Sequence, residues 1–262
     1  MLKGFAYPLT ARGKSNIVPA PPWHYAGDAL VIEYWADPAR VAAMLPDGLE
    51  PDAASPGHAH GLFVDWQFTA SGQEFLEPAR YQYREFYILL DALYKGQPVA
   101  YCPYIFVDND AAIARGWVQG FPKRLAAVHQ TRAFAAPGLA NPGLRKGSQF
   151  AGTMSSSGQR LARGTVTLEH PIDAAPDFVT RPTVNLRHFP RLTAGQHDNP
   201  AVHELVMAVF SDAAFTDGWV GTGELVLPDA VGEEVSDLGP LRCGRGYRGS
   251  IASSVDDLRV LD

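Results

Sequence analysis

The sequence predicts a mainly antiparallel β protein with short helices (α+β). Three observations point there. The 262 residues hold 25 glycines and 21 prolines, so breakers chop the chain into short elements. Apolar and aromatic runs of strand length recur from end to end. Only two segments combine a helix start signal with helical spacing.

Residues 1–27 read as extended or irregular and end in PAPPWHYAG. DALVIEYW (28–35) reads as a strand. Asp37 is then placed to cap a helix, with Pro38 at its first position, and ARVAAML (39–45) keeps helical spacing until Pro46. GLFVDWQFTA (61–70), YQYREFYILLDALY (81–94) and PVAYCPYIFVD (98–108) read as strands, the second long and aromatic. Asp108-Asn109-Asp110 caps a short helix, AAIARGWVQ, that stops at Gly120. After FPKR the chain is strand-like again in LAAVHQTRAF, GSQFAGTMSS, RLARGTVTLEH, TVNLRHFPRL and GTGELVL. HELVMAVFS (203–211) fits a strand or a helix. A curved or closed sheet suits so many strands, and a single domain over 1–262 is expected, with no repeat and no low-complexity linker.

Composition removes several function classes. A net charge of −6 argues against a nucleic-acid surface. No apolar run approaches the length of a membrane helix, and MLKGFAYPLTARGKSN lacks a signal-peptide pattern. Two cysteines, Cys102 and Cys243, give neither a disulfide framework nor zinc spacing, so a reducing cytoplasm is expected. His58 and His60 form an H-x-H pair inside the Gly/Pro-rich PDAASPGHAHG. They read as a solvated loop, and no metal is expected. G-x-G-x-x-G, Walker A and G-x-S-x-G patterns are missing, and with them the usual signatures of nucleotide cofactors and serine hydrolases.

Only five of the 22 basic residues are lysines: Lys3, Lys14, Lys95, Lys123 and Lys146. Arginine does not deprotonate in proteins, so these five alone can supply a neutral amine. Four lie in polar or Gly-flanked surroundings. Lys123, in WVQGFPKRLAAV, has apolar flanks, a rigid Pro122 before it and the cation Arg124 after it. An apolar pocket and a neighbouring cation both lower a lysine pKa, which favours a Schiff-base nucleophile. The alternative is a lysine that snorkels at a strand start. If 81–94 is a strand, Tyr81, Tyr83, Glu85 and Tyr87 share one face, opposite Gln82, Arg84, Phe86 and Ile88. A carboxyl among aromatics can serve as an acid or base.

Gly120-Phe121-Pro122-Lys123-Arg124 resembles the Schiff-base lysine motif of the acetoacetate decarboxylase superfamily, which usually reads aromatic-Pro-Lys-Lys. DPARVAAMLPDGLEPD, VDNDAAIARG, RPTVNLRHFP and DGWVGTGELVL resemble further segments of that family, in family order. Together they span most of residues 25–262. The resemblance implies a double β-cone or barrel of antiparallel strands with peripheral helices. It places Lys123 on the Schiff-base lysine and Arg124 on the second lysine of the motif. Glu85, 38 positions before Lys123, falls near the family's acidic residue.

Two departures shift the expected chemistry. Decarboxylases of the family carry an Arg on the strand before the early helix, and Trp35 stands at the matching place. A Glu on the next strand is matched by an apolar residue of GLFVDWQF. Members with such departures resemble pyruvate aldolase-dehydratases, in which a Gln or Glu precedes the lysine by four and a tyrosine lies near the C-terminus. Gln119 and Tyr247 occupy those places. The resemblance thus implies a lyase that forms an iminium on Lys123 with a 2-oxo acid such as pyruvate, then condenses it with an aldehyde and loses water. Glu85 and Tyr247 would handle protons, and Gln119, Arg124, Trp35 and Tyr83 would contact substrate. No cofactor is expected. The expected partners are the small-molecule 2-oxo acid and aldehyde, with no nucleic acid and no membrane, and the chain is expected to form a homo-oligomer such as a tetramer. A β-keto acid decarboxylase using the same lysine is the second reading, and a non-catalytic small-molecule binder the third.

Overall fold

The computed structural model describes residues 1–261. Twelve strands form one mixed sheet: β1 (Trp23–Trp35), β2 (Glu50–Pro51), β3 (His58–Thr69), β4 (Gln82–Tyr94), β5 (Gln97–Val107), β6 (Lys123–Leu125), β7 (Ala127–Gln130), β8 (Gln149–Ser156), β9 (Gln159–Ile172), β10 (Val184–Phe189), β11 (Val202–Val226) and β12 (Arg242–Val260). Four short helices decorate it: α1 (Pro38–Met44), α2 (Pro78–Tyr81), α3 (Asp110–Val118) and α4 (Asp177–Thr180). The ladder runs β6-β5-β4-β3-β1-β12-β11-β9-β8-β7, with β2 on β4 and β10 on β11. Its two end strands, β6 and β7, are separated by Ala126 alone, so the sheet curls back on itself. The expected strand-rich fold is observed.

The curl buries both faces of its central strands. In β1, Leu30, Ile32 and Tyr34 enter one core while Ala29 and Val31 enter another. In β4, Phe86, Ile88 and Leu90 join the first core and Tyr83 and Leu89 the second. Strict alternation with apolar residues on both sides is the signature of a strand covered on both faces. The helix caps act as read: the Asp37 carboxylate accepts from Ala39 N–H and the Asn109 side chain from Ala112 N–H.

Several readings are corrected. Tyr81 ends α2 and packs with Phe68 and Trp23, so it does not share the face of Tyr83 and Glu85. HELVMAVFS and GTGELVL belong to one bent strand, β11, which shifts register between Ser211 and Ala214. The 19-residue β12 carried no legible strand pattern, although it lies at the centre of the sheet between β1 and β11. Its glycines explain why. A Cβ on Gly246 would stand 2.6 Å from Val166, and one on Gly249 2.5 Å from Phe215. Close crossing of layers removes the side chains that alternation is read from. His58 and His60 are not in a solvated loop either. They open β3, with His60 only 7% exposed, because the fold brings Asp91 of β4 and Glu33 of β1 against His58.

Candidate active site

Lys123 opens β6, which runs parallel to β5 after the α3 crossover. Three bonds fix this corner. Phe121 N–H donates to Gly116 O, Lys123 N–H donates to Phe121 O, and the Trp117 indole donates to Lys123 O at 2.9 Å. Gly120, with φ +81°, makes the left-handed turn that ends α3. The lysine stem then lies against Gly116. A Cβ there would stand 2.5 Å from Lys123 Cγ and 2.7 Å from Cε. Only the absence of a side chain leaves that track open.

Glu85 reaches the same point from β4, two strands away. Lys123 Nζ donates to Glu85 Oε2 at 2.6 Å, and the Trp66 indole donates to Oε1 at 3.1 Å. Both partners are buried. Burial pulls the lysine pKa below its ordinary value, Glu85 opposes that, and the charge of Arg115 adds to the lowering. Burial also raises the hydroxyl pKa values of Tyr25, Tyr83 and Tyr87, so these are neutral phenols. The lysine ammonium additionally lies 5.3 Å from the Tyr83 ring centre.

These groups line a cavity of about 260 Å³. Tyr25 of β1, Leu62 and Trp66 of β3, Tyr83 and Glu85 of β4, and Gln119 and Lys123 line it. Phe178 of α4 and Phe210 and Ala213 from the irregular turn of β11 also line it, as do Ile251 and Ala252 of β12. Gln119 is held by its amide, which donates to Arg115 O.

Four of the seven residues singled out from sequence thus meet at one cavity: Lys123, Glu85, Tyr83 and Gln119. Three do not. Arg124 points outward and makes two 2.6 Å hydrogen bonds to Glu233, because the residue after Lys123 on a strand faces the other side. Trp35 lies at the far end of β1, with the Arg242 guanidinium 3.2 Å above its ring centre, and the residue β1 contributes to the cavity is Tyr25. Tyr247 sits one layer behind, its ring centre 5.4 Å from that of Phe178.

The cation near the lysine is Arg115, which the sequence reading passed over. It is 1% exposed, and its Nε and both terminal nitrogens have no hydrogen-bond partner among the described residues. Its guanidinium carbon lies 3.9 Å from the Phe68 ring centre and 5.5 Å from that of Tyr83. A signal was available: Arg115 in α3 and Gln119 at its C-terminal cap are four apart, hence on one side of the helix. Trp66, which holds Glu85, was likewise not singled out within GLFVDWQF.

A buried amine in hydrogen-bond contact with a buried carboxylate, at a cavity walled by aromatics and with a buried guanidinium behind Tyr83, has the make-up of an enzyme active site. The acetoacetate decarboxylase (ADC) family model matches residues 6–262, and the chain belongs to that family, a family of lyases. Acetoacetate decarboxylase of Burkholderia cenocepacia (strain HI2424) is 26% identical over 244 residues, 90% of this chain and 85% of the relative. The enduracididine biosynthesis enzyme MppR complexed with pyruvate is 35% identical with a TM-score of 0.92, covering 100% of this chain and 98% of that one. MppR has also been solved with the condensation product of pyruvate and imidazole 4-carboxaldehyde, at 34% identity, a TM-score of 0.92 and 99% and 97% coverage. An acetoacetate decarboxylase-like enzyme from Sphingomonas wittichii RW1 is 26% identical, with a TM-score of 0.90 and 99% and 100% coverage.

Proposed function

We propose that residues 1–262 act as one acetoacetate decarboxylase-like domain that condenses pyruvate, or a close 2-oxo acid, with an aldehyde through a Schiff base on Lys123. The observation that carries this reading is the 2.6 Å contact between the buried Lys123 amine and Glu85, with the uncompensated Arg115 guanidinium close enough to depress the lysine pKa. Likeness to MppR in its pyruvate complex supports it.

The residues take the following parts. Glu85 accepts the ammonium proton, leaving a free amine that attacks the ketone carbon C2. Glu85 returns that proton to the carbinolamine hydroxyl, which leaves as water, and the positive nitrogen of the resulting iminium draws electrons from C3. Glu85, held by Trp66, removes a C3 proton and leaves an enamine. C3 then attacks the aldehyde carbon, and departure of the new hydroxyl as water gives the unsaturated 2-oxo acid after imine hydrolysis. Gln119 holds the substrate carboxylate at the cavity wall, and the buried positive charge of Arg115 behind Tyr83 favours an anion there. Tyr83 lines the substrate, and Tyr247 acts only through Phe178. A cytoplasmic homo-oligomer such as a tetramer is the form we propose.

Borohydride reduction in the presence of pyruvate, read by mass spectrometry, tests the reading. A reduced adduct of one pyruvate on Lys123 is expected, and its absence refutes the Schiff base. The curated relatives named acetoacetate decarboxylase favour a second reading, loss of carbon dioxide from a β-keto acid. Acetone release from acetoacetate above the buffer rate, with no condensation of pyruvate and aldehydes, decides for it.

A further inference from the structure

A second polar assembly runs from the outer cleft to the cavity wall and is not used by the chemistry above. Glu33 Oε1 meets His58 Nε2 at 3.2 Å, and His58 Nδ1 meets Asp91 Oδ2 at 2.7 Å. Asp91 Oδ1 meets the Arg181 guanidinium at 2.7 Å, and Arg181 in turn meets Asp177 at 2.6 Å. The chain therefore crosses from β1 through β3 and β4 to α4. Other groups face it. Ser55 donates to Asp91 and to Asp52, the Arg245 N–H donates to Glu33, and His60 packs edge-on to His58 with ring centres 4.9 Å apart. Both His58 nitrogens are engaged and Asp91 carries a cation, so this is an ion-pair network and not a free ligand set.

The destination of the chain matters. Asp177–Thr180 is a single turn, too short to be stable alone. Its side-chain anchors are Arg181 and Phe178. Phe178 lines the cavity and touches the His60 and Tyr247 rings, with centres at 5.2 and 5.4 Å. Arg181 lines the cavity and also the outer cleft beside Trp35 and His58.

We propose that Glu33, His58, Asp91 and Arg181 form a positioning chain that holds α4, and with it Phe178, across the mouth of the cavity, so that His58 sets substrate affinity without touching substrate. Removing the His58 cation leaves Asp91 with one partner fewer and loosens Arg181. The mouth then opens, water enters, and bound substrate is retained less well. The chemistry at Lys123, held by separate bonds to β4 and α3, keeps its maximal rate.

The kinetic arm of the test rests on the proposed function; the exchange arm does not. Amide hydrogen exchange of the peptide spanning 173–183 is compared between the wild type and His58→Gln, with peptides of β4 as internal reference. Arg181→Ala and Arg181→Lys serve as a second pair if His58→Gln does not fold. Exchange of 173–183 about tenfold faster in His58→Gln and Arg181→Ala is expected, as a lost charged hydrogen bond implies, with Lys restoring part of it. In borohydride trapping by His58→Gln, the half-saturating pyruvate concentration rises about tenfold while the rate at saturation is unchanged. Unchanged exchange in a folded variant overturns the proposal. So does an unchanged half-saturating concentration, or a fall in the saturating rate alone. If the wild type yields no adduct, the Schiff-base reading fails and the exchange arm alone decides this one.

Discussion

Replacing Gly116 by alanine tests the placement of the lysine most sharply. By helix propensity the change should help, since alanine is favoured over glycine inside a helix by about 1 kcal/mol. Here the added methyl would stand 2.5 Å from Lys123 Cγ and 2.7 Å from Cε, against an optimal carbon–carbon separation of about 3.5–4.0 Å. The stem must therefore move by about 1 Å. The Lys123 backbone cannot follow, because Trp117 and Phe121 hold it. The shift falls on Nζ, which now sits 2.6 Å from Glu85. Misplacement of a reacting atom by about 1 Å costs on the order of 100-fold in rate. Global stability changes little, since overpacking of about 1–3 kcal/mol is partly offset by propensity. The assay is the rate of borohydride trapping with pyruvate, alongside urea denaturation. A folded Gly116→Ala protein that traps at the wild-type rate refutes the reasoning.

Other consequences follow from the same geometry. Glu85→Gln removes the charge that favours the ammonium, so the acid limb of the trapping pH profile moves to lower pH while the rate falls by roughly 10²–10⁴-fold with loss of the base. Arg115→Gln moves that limb to higher pH and raises the half-saturating pyruvate concentration, whereas Arg124→Ala, which removes a half-exposed side chain paired with Glu233 away from the cavity, leaves the limb in place. The His58 pKa is raised to about 9, so its stabilisation is full below its ordinary value and is lost as pH rises towards 9. The His60 pKa is lowered to about 4, so its contribution is present above the ordinary histidine value and is lost as pH falls towards 4. Together they place maximal stability near pH 6.5, the ordinary value from which both depart, and denaturation midpoints that rise steadily from there to pH 9 would contradict this.

The sequence carried the strands whose side chains alternate. In β4 the period of two already put Tyr83, Glu85 and Tyr87 on one face, and the structure agrees. It carried the helix starts at Asp37 and Asn109, where a side-chain oxygen answers a nearby N–H. It singled out Lys123 by its apolar flanks and proline. It lost β12 because glycines at layer crossings erase alternation. It misjudged Arg124 because chain neighbours on a strand face opposite ways.

What the sequence by itself determined was local: element type, capping, and which lysine lacked a polar flank. Partners far apart in the chain were decided by the curled sheet. Glu85 and Lys123 meet because β5 and α3 bring β6 back parallel two strands away. Arg115, and not Arg124, became the buried cation because the helix turns one face to Tyr83 and Phe68 while β6 sends Arg124 to Glu233. Of the two histidines read as solvated, His58 was drawn into an ion network by Asp91 and Glu33 from neighbouring strands, and His60 was buried against its ring. Electrostatic environment depends on distance in space, which chain order does not contain, and the curl of the sheet supplied it.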